Sequence, residues 1–419
     1  MDKILVYGGH KLNGNVRVSG SKNSALPILA ACLLTKETCV IRRVPDLSDV
    51  HYMLQILTQL GAEVERASGV VTIRAEKIRT EASYDIVRKM RASVCIIGPL
   101  LAREGEANVS LPGGCVIGDR PIDLHLRGFE ALGAEVQVKG GDVLVTAKEL
   151  RGSEINLYGK HGSTVLGTDN VMMAAVLAKG TTVIEGAACE PEVVDLANFL
   201  NSMGAKITGA GTPTITIEGV EELHGTQHEV IPDRIEAGTF LVAAAMAGED
   251  VCVQRMNPGH LVEVTNALIE NGHELTIGTD HVRVRSGSVR KELTLTTEPY
   301  PGFPTDMQAQ FCALLCETQG VSVVTEYIFP QRFMHIAELK RMGANIEIES
   351  ASAIIKGGNP LSGAPVMASD LRASAALVLA GLSAEGVTEI NRVYHIDRGY
   401  EQIDDKLRGI GADIRRSKT

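Results

Sequence analysis

The sequence predicts an α/β protein of two domains, each built from three copies of one repeat. A chain of 419 residues exceeds the size of a single ordinary hydrophobic core, which predicts at least two domains. A short glycine-containing phrase also recurs six times, with its glycines 68 to 72 residues apart. The six phrases are Leu60-Gly-Ala-Glu-Val64, Leu132-Gly-Ala-Glu-Val136, Met203-Gly-Ala-Lys-Ile207, Asn271-Gly-His-Glu-Leu275, Met342-Gly-Ala-Asn-Ile346 and Ile410-Gly-Ala-Asp-Ile414.

Each phrase indicates a junction between a helix and a strand. An amphipathic stretch such as Asp49–Leu60 or Glu192–Met203 precedes the glycine, and an alternating stretch such as Ala62–Ile73 follows it. Because glycine readily adopts the left-handed conformation that ends a helix, the phrase predicts a helix, a C′ glycine and then a strand.

A second pattern repeats in step with the first. Helices of small residues run into β-branched strands at Thr38–Val44, Ala107–Leu111, Thr181–Glu185, Asp250–Gln254, Val321–Thr325 and Val387–Val393. Each repeat therefore holds about two helices and several short strands, whose sheet needs a partner layer. Because the repeats of a linear solenoid are usually about 20–50 residues long, we expect instead two groups of three repeats, with a ligand-binding cleft between the domains.

Composition limits the classes of function. The net charge of −10 and the absence of tryptophan disfavour a nucleic-acid-binding protein. No apolar run is long enough to span a bilayer, and Thr239–Gly248 and Ala373–Ala384 predict buried helices. The eight cysteines form no CxxC, which disfavours a zinc site and fits reduced thiols. The N-terminus, Met1–Gly8, lacks a signal-peptide pattern and predicts a first strand, so we expect a cytoplasmic enzyme.

Cys115 lies in a glycine-rich segment that no other repeat contains, Leu111-Pro-Gly-Gly-Cys-Val-Ile-Gly-Asp-Arg-Pro-Ile-Asp123. Its glycines and prolines predict a loop, because neither residue suits the interior of a helix or a central strand. A cation, Arg120, follows the cysteine after five residues. An incidental surface thiol and a reactive thiol are both compatible with this loop when it is considered alone.

Two further segments depart from the repeat. Lys22 and Asn23 precede an apolar helix predicted over Ala25–Leu34, where a lysine opposes the helix dipole unless an anion binds there. A solvated turn lysine is the alternative. Asp306 follows a proline-rich turn and enters a helix, either as a site carboxylate or as an ordinary first-turn aspartate.

Arginines stand next to several repeat boundaries, at Arg91, Arg332, Arg372 and Arg398. Arginines usually form surface ion pairs worth little, but together with Lys22 and Arg120 these would form a positive cleft on an acidic chain. Such a set favours an anionic substrate, a thiol acid and a carboxylate base. The sequence contains no P-loop, GxGxxG turn or metal-binding motif, so we predict neither a metal nor a cofactor.

Six segments resemble the signatures of the UDP-N-acetylglucosamine 1-carboxyvinyltransferase family. They are Ser19-Gly-Ser-Lys-Asn-Ser-Ala-Leu-Pro27, the Cys115 segment extended to His125, Phe303-Pro-Thr-Asp-Met-Gln-Ala-Gln310, Gln331-Arg-Phe-Met-His335, Ser369-Asp-Leu-Arg-Ala-Ser374 and Tyr394-His-Ile-Asp-Arg-Gly-Tyr-Glu401. The resemblance implies an inside-out α/β barrel of two domains built from six repeats of about 70 residues, the enolpyruvyl transferase fold. It also implies that residues 22–229 form the domain with the Cys115 loop, and that residues 1–21 and 230–419 form the second domain.

The resemblance implies transfer of the enolpyruvyl group of phosphoenolpyruvate to the 3′-hydroxyl of UDP-N-acetylglucosamine with release of phosphate, the first committed step of peptidoglycan synthesis. Cys115 resembles the proton donor, which fosfomycin alkylates in the family, and Asp306 resembles the carboxylate that takes the hydroxyl proton. Lys22, Arg120 and Arg398 match the cations that hold phosphoenolpyruvate. The other substrate-binding positions that the resemblance implies are Asn23, Arg91, Pro121, Ile122, Asp123, Leu124, Ile328, Arg332, Asp370 and Arg372.

Two positions depart from the family pattern. Ser48 stands where many members carry a lysine, and the stretch Lys160–Asn170 differs from the usual pattern and is about two residues longer. In the family this stretch contacts the uridine diphosphate, so the donor chemistry is better supported than the acceptor. The shikimate-pathway enolpyruvyl transferase, which shares the fold, is the alternative, but it gives no explanation for the Gly-Gly-Cys loop. A catalytically silent paralogue would need neither the acid Cys115 nor the base Asp306.

Overall fold

The chain divides into two units in the computed structural model, which describes residues 2–82, 84–87, 90–111 and 122–417. Among these residues, the central unit contains 20–111 and 122–231, and the terminal unit contains 2–19 and 232–417. The beginning of the chain is therefore part of the same unit as its C-terminal half.

The strands of the described residues are short. They are β1 (Lys3–Tyr7), β2 (Leu12–Arg17), β3 (Thr38–Arg42), β4 (Glu63–Ala67), β5 (Val70–Arg74), β6 (Glu81–Ala82), β7 (Glu106–Ser110), β8 (Glu135–Lys139), β9 (Asp142–Thr146), β10 (Glu154–Asn156), β11 (Thr181–Glu185), β12 (Lys206–Thr208), β13 (Thr214–Glu218), β14 (Gln227–Glu229), β15 (Gly248–Gln254), β16 (Glu274–Ile277), β17 (His281–Arg285), β18 (Thr294–Thr296), β19 (Gly320–Thr325), β20 (Ile346–Glu349), β21 (Ser352–Gly357), β22 (Pro365–Met367), β23 (Val387–Asn391) and β24 (Asp413–Ser417).

The helices alternate between buried and amphipathic ones. They are α1 (Lys22–Ala31), α2 (Ser48–Gln59), α3 (Tyr84–Val87), α4 (Ile97–Glu104), α5 (Asp123–Ala131), α6 (Val165–Ala175), α7 (Pro191–Ser202), α8 (Arg234–Ala247), α9 (Val262–Asn271), α10 (Gln308–Cys316), α11 (Met334–Arg341), α12 (Leu371–Ser383) and α13 (Ile403–Arg408). Short 3-10 turns occupy Cys32–Leu34, Arg91–Ile96, Pro258–His260, Thr305–Met307 and Val393–Arg398.

The strands form six four-stranded sheets with one common pattern, as the repeated phrases predict. The central unit has the orders β14-β3-β5-β4, β6-β7-β9-β8 and β10-β11-β13-β12, and the terminal unit has β16-β17-β15-β2, β18-β19-β21-β20 and β22-β23-β1-β24. Each sheet contains one parallel and two antiparallel pairings; in the first, β14 runs parallel to β3 and β5 runs antiparallel to both its neighbours. The predicted first strand is confirmed as β1, which pairs with β23 and β24 and so completes the last sheet.

The six repeated glycines end helices as predicted. Their φ angles lie between 93° for Gly133 and 109° for Gly272, in the left-handed region. Each follows an amphipathic helix and leads within a few residues into a strand, as Gly61 does between α2 and β4. A residue with a side chain would be strained at these positions, which explains why glycine recurs there.

One mostly buried helix per repeat forms the core of each unit. These inner helices are α1, α4 and α6 in the central unit and α8, α10 and α12 in the terminal unit, with the sheets outside them. All residues of α8 are buried, and its small side chains permit close packing. A Cβ on Gly238 would lie 2.8 Å from the Sδ atom of Met307, so a side chain there would require Met307 to shift.

The structure changes one predicted boundary. We expected an apolar helix over Ala25–Leu34, but α1 begins at Lys22 and ends at Ala31, followed by a 3-10 turn. Ser21 is the N-cap residue, and its hydroxyl accepts a hydrogen bond from the amide of Ser24 at 3.3 Å. Lys22 is therefore the first residue of the helix rather than part of the loop before it.

None of the helices in the described part of the chain combines the length and the apolar character needed to cross a membrane.

Candidate active site

Two arginines of the terminal unit hold the carboxylate of Asp306. Asp306 lies in the 3-10 turn that leads into α10. Its Oδ1 accepts a hydrogen bond from Arg332 Nη1 at 2.8 Å. Its Oδ2 accepts two from Arg372, from Nε at 3.1 Å and from Nη2 at 2.9 Å. Three residues that the sequence singles out separately therefore meet in one cluster.

This cluster keeps Asp306 ionised and still reachable. Burial raises the pKa of the carboxyl group, but Arg372 and Arg332 outweigh burial and hold the pKa well below its usual range. The side chain of Asp306 remains 27 % exposed, whereas those of Arg332 and Arg372 are 8 % and 3 % exposed. A ligand can therefore contact the carboxylate, while the guanidinium groups lie behind it.

Arg372 is fixed from several sides. It is the second residue of α12, whose N-cap residue Asp370 accepts hydrogen bonds from the amides of Arg372 and Ala373. Its guanidinium carbon lies 5.4 Å from the ring centroid of Tyr400, in a cation–π contact. Its Nη1 is buried and has no hydrogen-bond partner among the described residues.

A buried glutamate that the sequence does not single out organises the neighbouring loop. Glu326 Oε1 accepts hydrogen bonds from the amides of Ile328 and Phe329, both at 2.9 Å. Its Oε2 accepts one from the hydroxyl of Thr305 at 2.8 Å, and Thr305 in turn accepts one from Arg332. Glu326 thus holds the segment of the predicted substrate-binding residue Ile328 and supports the arginine beside Asp306.

Arg398 ends the 3-10 turn Val393–Arg398 in the same unit. The nearby His395 has a lowered pKa, because burial and then the positive charge of Arg398 disfavour its protonated form. The turn therefore presents a permanent cation beside a neutral imidazole.

The first turn of α1 in the central unit carries a second predicted cation. Lys22 Nζ lies 2.7 Å from Asp49 Oδ2, and their side chains are 11 % and 2 % exposed. Asp49 is in the first turn of α2.

Pro27 lies inside α1 and has no N–H, so the carbonyl of Asn23 cannot receive the usual intrahelical hydrogen bond from that residue.

A buried polar network holds the same turn of α1. The hydroxyl of Ser24 donates to Asp195 Oδ2, and Asp195 also accepts from the amide of Ile231 at 3.2 Å. His228 Nε2 lies 2.8 Å from Asp195 Oδ1. Because serine and histidine both contact the aspartate and not each other, this is a structural network rather than a nucleophilic triad.

The remaining predicted positions of the central unit lie at helix ends. Arg91 is the first residue of the 3-10 turn Arg91–Ile96, Asp123 begins α5, and Ile122 precedes it in the core. Burial and then the charge of Arg91 lower the pKa of His125 to about 3, so this imidazole is neutral. Leu124 packs against Gly159, and a Cβ atom added to Gly159 would lie 3.0 Å from Leu124 Cδ1.

The two departures from the family pattern also lie at helix starts. Ser48 is the first residue of α2, and Thr164 is the N-cap residue of α6. Cys115, Arg120 and Pro121 lie outside the described residues.

Most other cysteines are poor proton donors near neutral pH. Burial raises the pKa of Cys95 and of Cys312 well above the ordinary value and that of Cys316 to about 12. Cys189 is half-buried, and burial followed by Glu190 raises its pKa too. Cys39 has a lowered pKa but is fully buried.

Comparison with known proteins identifies similar chains over the full length. The family model described as EPSP synthase (3-phosphoshikimate 1-carboxyvinyltransferase) matches residues 6–407. The chain is 60 % identical over 419 residues to a UDP-N-acetylglucosamine 1-carboxyvinyltransferase of Akkermansia muciniphila, covering 99 % of both chains. It is 60 % identical over 417 residues to the protein of that name from Methylacidiphilum infernorum, also covering 99 % of both. It is 53 % identical over 419 residues to the one from Geobacter metallireducens, covering 100 % of both.

Solved structures share the fold. The enolpyruvyl transferase NikO from Streptomyces tendae superimposes with a TM-score of 0.91 at 25 % identity, covering 100 % of this chain and 99 % of that one. An EPSP synthase from Acinetobacter baumannii superimposes with a TM-score of 0.76 at 20 % identity and full coverage of both chains. The predicted two-domain inside-out α/β barrel of six repeats is thus the enolpyruvyl transferase fold.

Proposed function

The chain belongs to the EPSP synthase (3-phosphoshikimate 1-carboxyvinyltransferase) family, and a relative 60 % identical to it is named UDP-N-acetylglucosamine 1-carboxyvinyltransferase. We therefore propose that the chain transfers the enolpyruvyl group of phosphoenolpyruvate to the 3′-hydroxyl of UDP-N-acetylglucosamine. Phosphate is the second product, and the reaction commits the sugar to peptidoglycan synthesis. The observation that carries the proposal is the carboxylate of Asp306, which two buried arginines hold while it remains accessible. A protein that only bound a sugar nucleotide would have no need for an ionised carboxylate placed in this way.

The addition step uses an acid and a base. The hydroxyl oxygen of the sugar forms a bond to C2 of phosphoenolpyruvate while C3 receives a proton from the Cys115 thiol. Asp306 hydrogen-bonds the hydroxyl and takes its proton. A carboxylate with a low pKa is a weak base, but the hydroxyl becomes strongly acidic as its oxygen bonds to carbon, so a weak base suffices.

The elimination step returns the enzyme to its starting charge. C3 loses a proton to the Cys115 thiolate, the double bond to C2 forms again, and the bond between C2 and the phosphate oxygen breaks. The proton held by Asp306 leaves with the phosphate, so the thiol and the carboxylate are both restored. Lys22, Arg120 and Arg398 would hold the phosphate and carboxylate of phosphoenolpyruvate and stabilise the charge on the departing phosphate.

The acceptor would be held chiefly by residues that begin helices or line loops. These are Asn23, Arg91, Arg120, Pro121, Ile122, Asp123, Leu124, Ile328, Arg332 and Asp370. The mechanism assigns no step to a metal or a cofactor. Since both substrates are cytoplasmic metabolites, the enzyme would act in the cytoplasm.

Phosphate release measured with two acceptors tests the proposal. We expect release from phosphoenolpyruvate with UDP-N-acetylglucosamine and none with shikimate 3-phosphate. Release with shikimate 3-phosphate alone would assign the chain to the shikimate pathway. No release with either acceptor, despite binding of the UDP-sugar by calorimetry, would show a silent paralogue.

A further inference from the structure

Three buried polar side chains lie beneath the Asp306–Arg372 pair in the terminal unit. Tyr400 and Thr239 are each 1 % exposed, and Gln310 is fully buried. The phenolic oxygen of Tyr400 lies 2.9 Å from Thr239 Oγ1. Gln310 Nε2 lies 3.3 Å from that phenolic oxygen and 3.2 Å from Thr239 Oγ1. The three side chains therefore form one closed group, contributed by α8, α10 and the segment after the 3-10 turn Val393–Arg398.

The hydrogens of this group can be assigned from its contacts. Thr239 donates its only hydroxyl hydrogen to the carbonyl of Ile235 at 2.8 Å. The contact between Thr239 and Tyr400 must therefore use the Tyr400 hydroxyl as the donor. Gln310 Nε2 donates to the backbone carbonyl of Asp306 at 2.8 Å. These bonds fix the orientation of the Tyr400 phenol and tie the backbone of Asp306 to the same group.

The ring of Tyr400 in turn supports Arg372. The guanidinium carbon of Arg372 lies 5.4 Å from the ring centroid, and Arg372 Nε and Nη2 both reach Asp306 Oδ2. Such a contact orients a planar guanidinium as well as attracting its charge.

The two oxygens of Asp306 differ as a result. Each carboxylate oxygen offers about two acceptor positions. Arg372 fills both positions of Oδ2, whereas Arg332 fills one position of Oδ1. Within the part of the chain that the structure describes, one acceptor position therefore remains at Oδ1.

We propose that Tyr400 is a positioning residue that sets Arg372 on Asp306 Oδ2 and so leaves Oδ1 to accept the substrate hydroxyl. The inference rests on the proposed function, because it assigns one atom to the proton-accepting step. It also assigns Thr239 and Gln310 to the support of Tyr400. None of the three touches a reacting atom in this assignment.

Substitutions that loosen Tyr400 test the assignment. Tyr400→Phe removes the hydroxyl and keeps the ring, Tyr400→Leu removes both, and Thr239→Val removes the hydrogen-bond acceptor. We expect Tyr400→Phe and Thr239→Val to lower kcat about 10-fold, with KM for both substrates changed less than about 2-fold. Tyr400→Leu should lower kcat more than Tyr400→Phe does. The conservative variant Tyr400→Phe retains part of the activity because it keeps the ring that contacts Arg372.

Thr265→Val is the matched control. Thr265 is a buried threonine of α9 in the same unit, and its hydroxyl donates to the carbonyl of Val262 at 2.8 Å. The Thr265→Val variant therefore loses a hydrogen bond from a threonine hydroxyl to a helix carbonyl, as Thr239→Val does, but it does not alter the group around Tyr400. We expect Thr265→Val to lower the melting temperature while leaving kcat unchanged.

The pH profile of kcat separates positioning from mere structural support. A looser Arg372 weakens the charge that keeps Asp306 ionised, so the acid limb should move to higher pH in Tyr400→Phe and Thr239→Val but not in Thr265→Val. Among the described residues, Arg332 and Asp233 also act on this pair, and both remain in every variant. An unchanged kcat and acid limb in both Tyr400→Phe and Thr239→Val would overturn the inference.

A measurement that needs no activity decides the same point. If Tyr400 positions Arg372 on Asp306, the melting-temperature losses of Tyr400→Phe and Asp306→Asn are not additive, and the double variant loses less than their sum. Additive losses would overturn the inference even with an active enzyme. A wild-type protein that releases no phosphate with any acceptor would instead overturn the proposed function, and the non-additivity could still be measured.

Discussion

The ammonium group of Lys22 lies 2.7 Å from the carboxylate of Asp49, and both side chains are almost inaccessible. Lys22 is the first residue of α1, where a positive charge opposes the helix dipole and loses hydration. Asp49 supplies the opposing charge from the first turn of α2. The pair therefore explains how a lysine can be kept at a helix start, where its charge would otherwise be unfavourable.

Asp49→Asn should weaken both the fold and substrate binding. Breaking a buried pair leaves an uncompensated charge and costs about 3 kcal/mol or more. We expect a lower melting temperature and a KM for phosphoenolpyruvate raised several-fold, because Lys22 is no longer held in place. Asp46→Asn is the control, since Asp46 and its partner His51 are exposed and a second partner, Arg66, is half-buried, so that one contact is worth about 0.5 kcal/mol. Equal effects of the two variants would contradict this role for Asp49.

Asp306→Asn should abolish most turnover without removing the fold. General base catalysis contributes about 10²–10⁴-fold, so we expect kcat to fall by at least about 100-fold. The side-chain amide keeps the shape but cannot take the hydroxyl proton. Steady-state phosphate release with UDP-N-acetylglucosamine measures the loss, and a kcat within 3-fold of wild type (a threshold on the order of the experimental scatter) would remove Asp306 from its role.

The same variant has a pH-dependent effect on stability, whose sign follows from the pKa. The pKa of Asp306 is lower in the folded than in the unfolded protein, so ionised Asp306 stabilises the fold above its unfolded pKa of about 3.9. That contribution is lost as the pH falls toward the folded pKa. The melting-temperature difference between wild type and Asp306→Asn should therefore be largest near neutral pH and shrink in acid.

The sequence predicted the repeat architecture because each glycine phrase has a local cause. The residue after each amphipathic helix adopts a left-handed conformation, which favours glycine. This preference depends only on the local backbone, so it can be recognised in the sequence without knowledge of any tertiary contact. The start of α1 was predicted three residues late because Lys22 at a helix N-terminus contradicts the usual charge preference. Tertiary compensation by Asp49 overrides that preference.

The sequence singles out the charged residues of the Asp306 cluster but not the residues that support them. Arg332 and Arg372 are cations beside turns, so their residue type already suggests binding of an anion, and Asp306 beside a turn suggests a carboxylate base. Glu326 and Tyr400 act through buried contacts with residues distant in sequence. Nothing in their local sequence distinguishes them from ordinary strand-end or core residues, and only the packing of the sheets and inner helices identifies them.

Asp169 should show the opposite pH dependence to Asp306. It lies fully buried in α6, and neither carboxylate oxygen has a hydrogen-bond partner among the described residues. Burial and then Glu190 and Glu192 raise its pKa well above the ordinary value. The folded protein therefore binds the proton more tightly, and stability falls as the pH rises above the unfolded pKa of about 3.9.

Asp169→Asn should therefore stabilise the protein at neutral and alkaline pH. The amide is neutral at every pH, so the gain in melting temperature should grow between acid and neutral pH and vanish below about pH 4. Asp195→Asn is the matched control in the same unit, because its oxygens are partnered by Ser24, His228 and the amide of Ile231. We expect that variant to lower the melting temperature near neutral pH. A loss of stability in Asp169→Asn at pH 8 would contradict the prediction.

Fosfomycin should modify Cys115 in preference to the other cysteines. The described cysteines are buried, apart from the half-buried Cys189, and a thiol must reach the epoxide as a thiolate. Cys39 has a lowered pKa but no exposed surface, and Cys189 has a raised pKa. Intact-protein and peptide mass spectrometry should therefore show one adduct, on the peptide that contains Cys115.

Two alanine variants separate the reactive thiol from the next most accessible one. Cys115→Ala should form no fosfomycin adduct and should lose at least about 100-fold in kcat, because the proton for C3 of phosphoenolpyruvate has lost its donor. Cys189→Ala should form the adduct at the wild-type rate and keep kcat within about 2-fold, since its thiol contributes neither charge nor access. An adduct on Cys189 would contradict the predicted selectivity of fosfomycin, and full turnover by Cys115→Ala would show that the acid of this reaction lies elsewhere.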